Sequence, residues 1–469
     1  DKQMAGLQYA GEFTLDQALI TSSNGTLINI RGSITEINIF EDIFKNNIHG
    51  NILLFDTQNF FSKSYIRGQD TIYLEITTPS ISDRPEMAIK QHFFVHSIDL
   101  MEEASAKSMA YQLSFTTKEH FANERKKISK GYQDSPTKII ESILKSELET
   151  KKPILVEASK NIKRVVFANK KPFDAIRQIM QEAVSKINDS PSYLFYETTK
   201  GFYCTTMTNL YQQEPVTDFN AGEVGMLDGD GQTKHINPVR DFERVIEMSL
   251  KPNIDSLINT AIGVLASKST RVNLFNKSVE TNNYKYFDEF NRYDRSEGKE
   301  KDNPIYNDDI IDNNGNTIGD FVDAKTHLHT VIENDGKDTS HYNTNTATYS
   351  FSPTELGTNT FLTRSANRKM VDNMVEIRAH VNGHVGLEVG QTCTIQEPMK
   401  DDSGKSVYQG KYLITQLRHV FNIADMKHEI TMSMVKDSTP NVIEKRGSIN
   451  FNEYANEKSG GIVYVENVE

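Results

Sequence analysis

At 469 residues and 53.2 kDa the chain is too long for one ordinary core, and about three domains are expected. A hydrophobic content of 37%, a mean hydropathy of -0.54 and the lack of any run of about 18 apolar residues exclude a spanning helix, and the opening DKQMAGLQYAGEFTLDQALI lacks the basic start and apolar block of a secretory leader. With 52 Lys and Arg against 64 Asp and Glu the net charge is -12, which argues against sequence-independent gripping of nucleic acid.

Residues 26 to 120 carry the first strand periodicity. LINIRGSITEINIFED, HGNILLFD, DTIYLEITTP, HFFVHSIDLME and AYQLSFTTKE alternate apolar and polar residues, with turn-forming polar clusters between them. Such spacing predicts a small barrel, whose closure removes the edges that alternating strands offer to other chains. The pairs Phe60-Phe61 and Phe93-Phe94 put one ring on each face of a strand, which means burial on both sides, by the core alone or also by a next subunit. Arg125-Lys126-Lys127 then reads as a solvated linker, with a docking patch for an acidic neighbour as its alternative.

The periodicity now turns helical. Ser135-Pro136 is a start signal, a hydroxyl N-cap followed by proline, and Ile139, Ile140, Ile143, Leu144 and Leu148 share one face. A second helix begins near Pro172, with Phe173, Ile176, Ile179, Met180 and Ala183 as its stripe. KRVVFA supplies a strand, and SYLFYETTKGFYCTT a hairpin turning at Thr199-Lys200-Gly201. Strand character returns at 241 to 250, and Val272 to Phe275 adds another short strand. From about Tyr284 to Asn359 the composition is rich in Asn, Asp, Thr and Lys; a segment this polar buries little surface, so a long excursion from a barrel is expected there.

From Ile377 to Asp437 alternation resumes as one antiparallel barrel sheet, with Gly383, Gly386, Gly390 and Gly410 as its structural turns. The terminal GIVYVENVE, with Ile462, Val463, Tyr464 and Val465, has the form of a strand able to add to a partner's sheet; disorder is the competing reading. The fold class is therefore α+β and β-dominated, two tandem small antiparallel barrels with a small α/β domain between them and a polar insertion. The expected domains are 1–125, 126–215, 216–440 with the insertion at about 276–360, and a tail at 441–469.

No catalytic, cofactor or metal site is predicted. Asp228-Gly229-Asp230-Gly231 and Asp312-Asn313-Asn314-Gly315 resemble calcium loops, but aligning either glycine with the EF-hand turn puts Met226 or Ile310 where the first carboxylate must be. His327 and His329 alternate on a strand without a third ligand, and His428-Glu429 lacks the second histidine of a zinc-protease helix. His92 and His96 stand about 13 Å apart along a strand, too far to share a metal. Cys204 and Cys393 read as small core residues, and neither a phosphate loop nor a nucleophile elbow is present.

The run SITEINIFEDIFKNNIHGNILLFD, IRGQDTIYLEI, HFFVHSIDL, AYQLSFTTKE and RKKISKGYQDSPTKIIESILKSEL resembles the N-terminal barrel of the baseplate-hub proteins of contractile phage tails. The resemblance continues through KPFDAIRQIMQEA and SYLFYETTKGFYCTT to the Gly383 to Asp437 barrel, with GKYLITQLRHVF and Lys436-Asp437. Type VI secretion spike proteins carry a related hub region. The resemblance implies a non-enzymatic homotrimer whose two barrels per subunit form a pseudo-sixfold ring, resolving the mismatch between a hexameric tube and a trimeric spike. It further implies the central spike, tail-tube, baseplate-wedge and tape-measure proteins as partners, DNA passing without specific binding, and a place in the virion tail baseplate after synthesis in the host cytoplasm. The alternatives are a hub in a type VI secretion or other contractile injection apparatus, a cell-wall hydrolase, or a receptor-binding tail protein. The absence of Trp weakens the last of these, though 19 Tyr keep it open.

Overall fold

The computed structural model describes residues 9–440 except 59, 61–65, 80–87, 106–107, 161, 221–239, 275–276, 299–301, 312–313, 332–359 and 397–407. The first β unit holds β1 (Thr14–Thr21), β2 (Leu27–Asn29), β3 (Ile34–Asp42), β4 (His49–Asp56), β5 (Thr71–Thr77), β6 (Ala88–Ser105) and β7 (Ser108–Thr117). They run antiparallel in the spatial order β3-β4-β7-β6-β5-β1-β2. Alternation decides their inner face: Ile37 and Ile39, Ile52 and Leu54, Ile72, Leu74 and Ile76, Phe93 and Val95, and Tyr111, Leu113 and Phe115 all join one buried cluster. β1 lies before the stretch expected to begin the unit. A register shift between Leu15 and Gln17 interrupts its alternation, as a β-bulge does, and hides the strand from a period-two reading.

The paired aromatics behave differently from one another. Phe93 is core, and Phe94 is stacked at 5.8 Å on Phe121 of the chain's own next helix, so its outer face is covered from within. Phe60 stands beyond β4 in helical conformation, not on a strand, because β4 ends at Asp56; Phe61 lies outside the described residues.

The α/β unit follows: α1 (Lys118–Arg125), β8 (Ile128–Asp134), α2 (Pro136–Ser146), β9 (Ile154–Val156), β10 (Lys163–Lys170), α3 (Pro172–Met180), β11 (Tyr193–Thr198), β12 (Gly201–Thr206) and α4 (Met207–Tyr211). The stripes of α2 and α3 meet in a third cluster with Phe195, Phe202 and Cys204. Ser135 takes the N-cap position of α2, yet its hydroxyl makes no capping bond; Asp134 accepts from the Ser135 N–H instead, and Pro136 starts the helix by its fixed φ.

The second β unit comprises β13 (Asp218–Asn220), β14 (Val245–Pro252), α5 (Ser256–Ile262), β15 (Ala266–Asn273), β16 (Ser278–Lys285), α6 (Tyr286–Phe290), β17 (Thr326–Val331), α7 (Phe361–Asn373), β18 (Val375–Asn382), β19 (Thr392–Gln396), β20 (Gly410–Asn422) and β21 (Lys427–Lys436). The strand expected at Val272 to Phe275 is thus the end of the longer β15, and Phe275 itself lies outside the described residues. The polar excursion buries more than its composition predicts. Its few apolar residues are mostly aromatic and grouped, so Tyr286, Phe290, Ile305 and Tyr306 reach the second core together.

The two β units share one sheet. β20 pairs with β19 through Gly410 to Leu413, then with β3 through Gln416 to Asn422, opposite Asp42 to Glu36. β20 thereby joins the two ladders, and the β3 edge is covered by the other β unit of the same chain.

Candidate functional site

The polar groups that decide how the three units sit are concentrated where β3, the β11–β12 hairpin and the loop after β18 converge. Glu41 of β3 is 2% exposed and accepts the N–H groups of Thr199 (2.8 Å) and Val389 (3.1 Å), one from each of the other units. Burial, with Glu388 close by, pushes its carboxyl up to about 8, so near neutral pH it stands protonated between two fixed donors. Glu388 is the member of the pair that gathers side-chain donors. It receives the Thr198 hydroxyl (2.7 Å), the Tyr203 hydroxyl (3.2 Å) and the Lys200 ammonium (3.2 Å). Lys200 also donates to the Gly386 carbonyl at 3.1 Å.

A second anchor lies one residue away on the same hairpin. Glu197 accepts the Ile48 N–H (3.1 Å) and the Thr117 hydroxyl (2.8 Å) from the first β unit and is bonded to Lys152. Lys152 also pairs with Glu119 at 3.3 Å. Burial raises the Glu197 carboxyl, with Lys152 acting in the opposite sense. Buried acidic groups shared across three units, each with partners, fix one arrangement, since any rotation would strand a polar group away from water.

Two of the expected turn glycines belong to this joint: Lys200 donates to the Gly386 carbonyl, and Gly390 stands against Tyr196 of β11. Gly386 and Gly390 lie in turns, Gly383 just follows β18, and Gly410 opens β20. Gly390 has φ +84, donates its N–H to Ile414 (2.8 Å), and leaves no room for a β-carbon, which would fall on the Tyr196 hydroxyl. Gly390→Ala is expected to cost about 2 kcal/mol, from the left-handed backbone and displacement of Tyr196. A urea midpoint equal to that of the parent would refute this account. Gly383 faces a buried histidine: a β-carbon there would stand 2.7 Å from the His428 ring.

The other residues singled out in the sequence do not converge. His327 and His329 pack edge-on against Phe361, each with centroids 4.9 Å away. His428 is on β21 and not on a helix, with its Nε2 at 3.0 Å from His419 Nδ1. Cys204 and Cys393 are buried in separate cores, and burial raises both thiols, which leaves neither as a thiolate. Of the basic stretch, Arg125 lies over Phe121 and Lys126 bonds Glu149 at 2.9 Å, so two of its three charges serve the chain's own fold. Asp228 to Gly231, Asp312, Asn313 and the Ile462 to Val465 strand lie outside the described residues. Sequence reading passed over Glu41, Glu197 and Glu388; a Glu directly after a large apolar or aromatic residue was their only signal.

No family model matches the sequence, and no curated protein matches it. In structure the chain is similar to the 43 kDa tail protein of prophage MuSo2 from Shewanella oneidensis, with TM-score 0.51 at 8% identity, covering 90% of this chain and 98% of that one. It is also similar to the tail protein of Neisseria meningitidis MC58, with TM-score 0.47 at 9% identity over 92% and 98%. The E. coli c3393 protein, a component of the type VI secretion system, gives TM-score 0.42 at 8% identity over 92% and 79%. At such identities the first likeness establishes fold alone: the chain shares the fold of the MuSo2 tail protein over 90% of its own length and 98% of that chain's.

Proposed function

We propose that the chain is a structural hub of a contractile tail, and that three copies form a ring of six β units joining the tail tube to the central spike at the baseplate. The shared fold with a phage tail protein, over 90% of this chain and 98% of that one, is the observation that carries this reading. The continuous sheet through β3 and β20 supports it physically. Two β units locked edge to edge present a rigid pair, and three rigid pairs tile a closed ring with pseudo-sixfold spacing. In this reading the first and second β units, near 1–125 and 216–440, are the ring segments, and the unit near 126–215 braces them through Glu41, Glu197 and Glu388.

The ring would leave a passage for DNA, whose phosphates an acidic chain of net charge -12 does not retain. Ile462, Val463, Tyr464 and Val465 would add as a strand to the spike or to a wedge protein. Light scattering of the purified chain is expected to give a trimer, and negative-stain images a ring with a central opening. A monomer at every accessible concentration, or a solid particle, would overturn the proposal.

A further inference from the structure

We propose that a cleft between the α/β unit and the second β unit is a docking site for a partner-protein segment that carries a carboxylate beside a large apolar side chain. The cleft, of about 450 Å³, is lined from α3, β11, α7 and residues 43–46. Its wall is apolar, with Phe44, Ile176, Met180 and Phe361, and its charged groups are Arg177, Arg364 and Arg368. None of its lining residues is an Asp or Glu. Three cations around an apolar hollow contrast with a chain whose net charge is -12.

The three arginines are not equally engaged. Arg368 pairs with Asp372 at 2.7 Å and lies over the Phe44 ring, 3.4 Å from its centroid. Arg177 reaches Asp174 at 3.8 Å. Arg364 donates to the Gln181 carbonyl, lies 5.8 Å from the Phe361 centroid, and has no carboxylate at ion-pair distance among the described residues. Burial lowers its pKa, opposed only by Glu182, which is itself paired with Lys163 at 3.1 Å. A guanidinium carries five donors in a planar fork, and among the described residues the Gln181 carbonyl is the one acceptor found for this fork, which belongs to the cleft lining. A carboxylate would engage it in bidentate fashion.

The apolar wall decides the class of ligand. A free phosphate needs donors on all sides and would leave Ile176, Met180 and Phe361 unused. A Glu or Asp next to an aromatic or aliphatic residue satisfies the fork and fills the hollow at once, the pairing of anchor and charge that marks interface hot spots. The inference does not rest on the ring: a failed trimer test leaves the cleft intact, and a cleft that binds nothing leaves the trimer intact.

The test uses the full chain and the peptide acetyl-Glu-Phe-Glu-Phe-amide, followed by calorimetry or anisotropy, with its Gln analogue and inorganic phosphate as comparators. The acidic peptide is expected to bind, the Gln analogue roughly tenfold or more weaker, and Arg364→Met to lose about tenfold, with an unchanged melting temperature. Arg368→Gln serves as a second variant should Arg364→Met fold poorly, and it too should weaken binding. No binding at about 1 mM peptide, equal binding of the Gln analogue, displacement by phosphate at equal concentration, or binding unchanged in both variants would overturn the proposal. Loss of self-association in Arg364→Met would put a second copy in the cleft and overturn the assignment to a different partner.

Discussion

Replacing Asp437 by alanine is expected to lower the free energy of unfolding by about 3–5 kcal/mol, read as a fall in the urea midpoint. Asp437 is 2% exposed and lies 3.2 Å from Arg295, which is 4% exposed. Burial works against the guanidinium's charge, but Asp437 together with Tyr284 and Tyr286 offsets it and holds the Arg295 pKa above its ordinary value. The rest of the shell is already assigned. Arg295 also bonds Asn367 Oδ1 (3.2 Å) and the Phe290 carbonyl (3.3 Å), while Asp437 accepts the Ser296 N–H at 3.1 Å. Removing the carboxylate leaves a cation with only neutral partners in a dry site. The damage should be directional, because Arg295 ties the polar excursion to the residue that follows β21. Arg295→Met combined with Asp437→Leu removes both charges and should restore much of the loss. Asp437→Ala within about 1 kcal/mol of the parent, the worth of an exposed pair, would show that Arg295 finds water.

How much of this was legible in the sequence depends on whether neighbours in space are neighbours in the chain. The β11–β12 hairpin turns at Thr199 and Lys200 as read, since its turn and its alternation are local, and the buried faces of α2 and α3 follow from their 3.6-residue spacing. β1 was missed because a bulge breaks its period, and the burial of Tyr286 and Phe290 was missed because composition averages over grouped aromatics. The joint itself was invisible. Glu41 and Val389 meet across 348 positions, and β3 pairs with β20 across a similar span. A Glu in a strand looks solvent-facing until the strand that covers it is known. The β-dominated α+β reading survived because a fold class concerns the type and order of elements, which local periodicity carries.

Acid is expected to weaken the molecule in a way that can be assigned to three histidines. His384, His419 and His428 lie close together near the joint of the two β units. Burial is the first cause of each shift, lowering His384 to about 4, His419 to about 3 and His428 well below its ordinary value. Lys200 and the histidines themselves push the same way. His419 Nδ1 and His428 Nε2 share one hydrogen bond at 3.0 Å, while His419 Nε2 and His428 Nδ1 have no partner among the described residues, so an added proton is poorly solvated. The unfolded chain takes up protons near pH 6.5 and the folded chain does not. Stability is therefore fully present above that pH and falls as pH drops toward the folded values, by about 1.4 kcal/mol per pH unit for each histidine. Glu41 has the opposite sign. Its carboxyl, raised to about 8, contributes stability that is complete below the unfolded value near 4.5 and is lost as pH rises through 8. Between 8 and 6.5 mild acid should thus stabilise; below 6.5 three histidines outweigh one glutamate, with a net loss on the order of 4 kcal/mol by pH 5. Unfolding free energies measured by urea from pH 5 to 8.5 should pass through a maximum near 6.5 to 7, and His428→Gln should flatten the acid limb by about one proton. An acid limb of unchanged slope in that variant would mean that the buried pair takes up its protons without unfolding.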